Sequence, residues 1–135
     1  MIVSLSSIPP RFAGLGPTLD SLRAQDGVSR IVLTLPRRYA DFPGPVTPPE
    51  LPKGVELLWS DTDPGPATKL LPLAAQVAPD TPILICDDDW TYGPGWAAGF
   101  AGVPADRAAA ASAYDSRRIG TPGPGQIVQG FAGVR

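Results

Sequence analysis

The sequence predicts an α/β protein with a mainly parallel sheet flanked by helices. Strand-length apolar runs recur along the chain, and two of them are followed by stretches with apolar residues at three- and four-residue spacing. Proline and glycine cluster at 36–54, 63–66, 93–95 and 121–125, between the apolar segments, which marks loops on a compact frame.

Ile2-Val3-Ser4-Leu5 reads as the first strand and ends at Ser6-Ser7-Ile8-Pro9-Pro10. Leu15, Leu19 and Leu22 then fall on one face of a helix, with Pro17 near its start and Gly27 just past its end. Ile31-Val32-Leu33-Thr34-Leu35 is a second buried strand, stopped by Pro36. Val55-Glu56-Leu57-Leu58-Trp59 forms the third after a proline-rich loop. Apolar residues at 70, 71, 74 and 77 predict a second helix, and Pro72 is tolerated only in its first turn. That helix therefore starts near Leu70, which puts Thr68 and Lys69 at its amino end. Residues 82–86 form the fourth strand, with Asp87-Asp88-Asp89 directly at its carboxyl end. A short helix is expected around 95–100, an alanine-rich strand near 108–112 and a last strand at 127–134.

Strands joined through helices imply parallel crossovers, and ligands of such sheets bind beyond the carboxyl ends of the strands. Three polar segments are expected to meet there: 4–10, 61–69 and 87–89.

Composition narrows the chemistry. With no histidine and one cysteine, Cys86, there is no Ser-His-Asp or Cys-His catalysis, no histidine-ligated zinc and no internal disulfide. Any metal must be held by oxygen, which favours magnesium, manganese or calcium. Acidic residues number 13 against 11 basic ones in mixed order, so no basic face is expected for a nucleic-acid partner. The longest apolar runs are strand-sized, and no basic segment leads into an apolar one at the amino end. One domain over 1–135 in the cytoplasm, with no transmembrane segment, is the expectation.

Three consecutive carboxylates after an apolar strand repel one another, and a divalent cation relieves that repulsion. If the strand continued, Asp87 and Asp89 would project to one side and Asp88 to the other, giving two hard oxygen ligands on one face. The bland alternative is an acidic turn in solvent. Lys69, one of only two lysines, is the natural counter-charge for a phosphate group.

Four blocks in order resemble bacterial glycosyltransferases of the GT-A type, family 2-like. They are Ser4-Leu5-Ser6-Ser7-Ile8-Pro9-Pro10-Arg11, Ser21-Leu22-Arg23-Ala24-Gln25, Asp63-Pro64-Gly65-Pro66-Ala67-Thr68-Lys69-Leu70 and Ile85-Cys86-Asp87-Asp88-Asp89-Trp90-Thr91-Tyr92. The last looks like the D-x-D element of that superfamily. The resemblance implies a Rossmann-like GT-A fold, short or truncated at its carboxyl end. It also implies metal-dependent binding of a nucleotide-diphospho-sugar, with a UDP-sugar favoured, and transfer of the sugar to an unknown glycan or other acceptor. Ser4, Ser6, Arg11, Asp63, Lys69 and Asp87 would face the nucleotide. Asp87 and Asp89 would hold Mn2+ or Mg2+, with Asp89 the principal ligand. Trp90, Tyr92 and Trp96 would either wall the sugar pocket or pack as ordinary aromatics. A base carboxylate is not evident; only Asp106 and Asp115 follow the triplet, and Asp115 is the better placed.

Two readings compete. Asp87-Asp88-Asp89-Trp90-Thr91 also fits the nucleophile motif of haloacid-dehalogenase-type phosphatases, with Asp87 attacking phosphorus and Asp89 as acid and base. Against it, no lysine follows residue 69 and no acidic pair follows residue 89. The other is a nucleotide-sugar binder without transfer chemistry.

Overall fold

The computed structural model describes residues 1–103. Four strands form one sheet in the order β3-β2-β1-β4. They are β1 (Ile2–Ser6), β2 (Arg30–Pro36), β3 (Val55–Ser60) and β4 (Ile83–Ile85), and every pairing is parallel. The parallel α/β expectation is met in these residues.

Strand alternation builds two apolar layers from the same runs. Val3 lies between Ile31 and Leu84 in the ladder. Together with Leu5, Leu33 and Leu35 these residues bury against Leu15, Leu19 and Leu22 of the helix α1 (Gly16–Arg23). The opposite face carries Ile2, Val32 and Ile83, covered by Leu73. Ser4 and Thr34 occupy the alternate positions on that face, and both are fully buried.

No helix joins β2 to β3, although the strands are parallel neighbours. The proline-rich segment makes the crossover as coil, because its prolines lack the N–H groups a helix needs. Its return is fixed by side chains. The Tyr39 hydroxyl donates to the Ser7 carbonyl at 2.8 Å, and the Asp63 carboxylate accepts the Ala40 N–H at 2.9 Å. The Tyr39 and Phe42 rings meet edge to face, 6.0 Å apart. The loop is thereby held over the carboxyl ends of the strands.

The second helix differs from its expected form. In place of a helix over 70–77, a 3-10 turn (Gly65–Lys69) leads into a single α turn, α2 (Leu71–Ala74). Pro66 and Pro72 each sit in a first turn, and Pro79 biases the preceding residue away from helix. Lys69 therefore ends a 3-10 turn and does not stand at the head of a long helix. The helix expected around 95–100 is a 3-10 turn at Ala98–Phe100. The strands expected at 108–112 and 127–134 lie outside the described residues. No described helix is long and apolar enough to cross a membrane.

Candidate functional site

A cavity of about 450 Å³ opens at the carboxyl ends of the strands. Each strand end and its connection contribute to it: Ser6, Ser7, Ile8 and Arg11 from the end of β1 onward; Pro36, Tyr39, Asp41 and Phe42 from the end of β2 onward; Asp63, Gly65, Pro66, Thr68 and Lys69 after β3; Asp87 and Asp88 after β4. The chain winds from β1 through β2 to β3 on one side and places β4 on the other. Such a reversal leaves a crevice between the diverging connections, where open parallel sheets hold ligands.

The acidic triplet does not alternate as a continuing strand would. β4 stops at Ile85, and Asp88 and Asp89 lie in a turn. Asp88, expected to point away, is the carboxylate turned inward, and it is only 7% exposed. It accepts the Ser7 hydroxyl at 2.5 Å and the Arg11 guanidinium at 2.8 Å. Its carbonyl accepts the Thr18 hydroxyl at 3.0 Å. Asp87 lines the cavity, 73% exposed, and pairs with the Lys69 ammonium at 2.5 Å. Asp89 lies beside the cavity, 57% exposed and 3.2 Å from the same Arg11.

Helix α1 sets the position of this turn. Besides Thr18, the Ser21 hydroxyl accepts the Tyr92 N–H at 3.0 Å. Just past the helix, buried Gln25 donates to the Gly93 carbonyl at 3.0 Å and accepts the Ala97 N–H at 3.1 Å. Tyr92 closes the clamp from the other end: its hydroxyl accepts the Asp87 N–H at 2.8 Å and lies 3.1 Å from the Asp87 carbonyl. The acidic turn is thus fixed mainly through its backbone, which leaves the Asp87 and Asp89 carboxylates outward.

The basic side is built from beneath. The Ser4 hydroxyl, buried in β1, donates to the Lys69 carbonyl at 2.5 Å. Ser4 is not among the residues lining the cavity; it positions the residue that is. Lys69 has a side chain only 15% exposed. Thr68 beside it lines the cavity, is 1% exposed and has a hydroxyl without a hydrogen-bond partner among the described residues. Asp63 lines the cavity too, but its carboxylate is engaged with two backbone groups, the N–H of Ala40 and that of Gly65 at 3.1 Å. Gly65 has φ +62, a conformation that favours glycine in this turn. Ser6, the last residue of β1, lines the cavity, and Asp115 lies outside the described residues.

The aromatics divide. Tyr92 and Trp96 rings sit 4.2 Å apart, Trp96 meets Phe100 at 5.6 Å, and all three pack on the core. Trp90 is 66% exposed. None of Trp90, Tyr92 and Trp96 lines the cavity; Tyr39 and Phe42 do. The sequence reading missed Tyr39, Asp41 and Phe42, which sit in a loop with no periodic signal, and gave no role to Ser7.

Burial pushes the Cys86 thiol up from 9.0 to about 12 and the Tyr39 hydroxyl up from 10.0 to about 12, and it raises Tyr92 as well. The hydrogen bond that Arg11 donates to Asp88 raises its guanidinium, which stays charged. Cys86 is accordingly a neutral core residue and no nucleophile. The three raised groups keep protons in the folded state that the unfolded chain releases. Stability should therefore be full below about pH 9 and fall as pH rises from there toward 12, by up to about 1.4 kcal/mol per pH unit for the buried thiol. Urea midpoints should agree at about pH 7 and about pH 8.5, and drop clearly at about pH 10.5.

Among the described residues, no group of three or more acidic, histidine or cysteine side chains is placed to hold a metal by itself. The donor chemistry nevertheless suits a shared cation. Four carboxylates line the cavity against two cationic side chains, so a bare polyphosphate would enter a net negative field. Exposed Asp87 and Asp89 offer hard oxygens to an ion that completes its shell from a ligand and water. No family model matches the chain, and no curated protein or solved structure matches it.

Proposed function

We propose that this chain binds a nucleotide-diphospho-sugar, a UDP-sugar by preference, together with Mn2+ or Mg2+, and transfers the sugar to an acceptor from a Rossmann-like GT-A fold. The observation that carries the reading is one cavity, at the point where the strand order reverses, lined by Lys69 and Arg11, each paired with a carboxylate of the acidic turn. Asp87 and Asp89 would hold the cation, which supplies charge neutralisation to the departing diphosphate. Lys69 and Arg11 bind phosphate oxygens and Ser6 adds a hydroxyl donor. The rings of Tyr39 and Phe42, packed edge to face at the cavity, offer the base a wall. Asp88 orients Arg11, and Ser4 orients Lys69.

One contact favours the phosphatase alternative: the lysine lies directly on Asp87, where such an enzyme would keep its nucleophile neutralised. Its further acidic pair has no counterpart among the described residues.

Melting curves separate these readings. A saturating ligand stabilises the folded chain by about 2.7 kcal/mol at a hundred times its Kd, a rise of several degrees in Tm. UDP with Mn2+ should raise the Tm by roughly 5 °C or more and UDP in chelator should not. Hydrolysis of p-nitrophenyl phosphate with Mg2+, without any response to nucleotides, would replace the proposal with the phosphatase.

A further inference from the structure

Lys69 is the cavity's least solvated cation, and its ammonium is already occupied. Its side chain is 15% exposed, its backbone is fixed by Ser4, and Asp87 is its one side-chain partner among the described residues. An ammonium has three donors and no rigid fork, so it changes partners by rotation without moving its stem. Asp87 is 73% exposed, so water can take over its solvation when the pair opens. Beside Lys69, the buried Thr68 hydroxyl has no acceptor or donor among the described residues although its residue lines the cavity. A buried hydroxyl without a partner is costly, and an incoming anion would relieve it.

We infer that Asp87 is a built-in competitor for the phosphate seat: Lys69 passes from Asp87 to a phosphate oxygen on binding, and the freed carboxylate becomes available to a cation. Anion and cation then bind cooperatively, because each removes the partner that holds the other's ligand back. The same exchange weakens the hold on free anions in the absence of a divalent ion. This rests on the phosphate-binding half of the proposed function.

The test is calorimetric titration of inorganic pyrophosphate in chelator, on the whole chain and on Asp87→Asn. Freeing Lys69 should tighten metal-free binding about fivefold, the scale of one partly exposed ion pair. Asp41→Asn is the control, since Asp41 lines the same cavity and its loss changes the field by the same charge without touching Lys69. It should shift the affinity by less than about twofold. Equal tightening in both variants would overturn the exchange, as would no tightening in Asp87→Asn. UDP with Mn2+ on the unaltered chain keeps the two ideas apart. If it binds while Asp87→Asn gains nothing for pyrophosphate, the exchange falls and the donor site stands. If Asp87→Asn gains selectively while UDP never binds, the exchange stands as a phosphate site and the donor reading falls.

Discussion

Asp88→Ala should cost the folded chain about 1–3 kcal/mol and lower its Tm by roughly 5 °C, the largest loss expected from any of the three acidic positions. Asp88 is the carboxylate that the fold has taken out of water. Its removal strips the acceptor from the Ser7 hydroxyl and lets Arg11 swing to exposed Asp89 alone. Asp88→Asn keeps an oxygen for Ser7 and should lose about half as much. Asp87→Ala and Asp89→Ala, both at exposed carboxylates, should stay within about 0.5 kcal/mol of the unaltered chain. Thermal unfolding of the four variants side by side checks the ranking. An Asp89→Ala drop as large as that of Asp88→Ala would contradict the assignment of Asp88 as the structural member.

Lys69→Met should leave stability almost unchanged and weaken nucleoside diphosphate binding about 10- to 100-fold, the worth of one charge-assisted hydrogen bond to phosphate. Methionine keeps the length and packing of the stem, so the loss reports the ammonium. Ser4→Ala should reproduce part of that loss indirectly. It leaves the Lys69 carbonyl without its buried donor and loosens the turn that aims the side chain, so it lowers the Tm as well. Titration of UDP in Mn2+ against both variants separates the contact from its support: Lys69→Met loses affinity at constant Tm, and Ser4→Ala loses both.

The parts of the fold that were legible in the sequence are those fixed locally. Four apolar runs became four strands, and Leu15, Leu19 and Leu22 became the buried face of α1, because burial on one face leaves a period in the sequence. Residues 63–66 were legible as a loop from their proline and glycine, and there the Asp63 side chain accepts the N–H two residues on. What escaped the sequence was tertiary. Thr18, Ser21 and Gln25 look like the solvent side of a helix and its end, and they instead catch the backbone of a turn some seventy residues away. The inward turn of Asp88 follows from where β4 stops, which the apolar run 82–86 overstated at both ends. Ser4 carried a signal that admits two meanings: a polar residue on a buried strand needs a partner, and here the partner is protein. The shortened second helix reflects prolines whose steric effect reaches the residue before them.

A divalent cation on the acidic turn should be what admits a nucleoside diphosphate. Calorimetric titration of UDP, with Mn2+ and with chelator, on the unaltered chain and on Asp89→Ala tests it most directly. Tight binding is expected only for the unaltered chain with Mn2+, and weak binding in chelator that Asp89→Ala leaves alone or slightly improves by removing one of Arg11's two carboxylate partners. Binding in Mn2+ that survives Asp89→Ala undiminished, or that is the same with and without the metal, would contradict it.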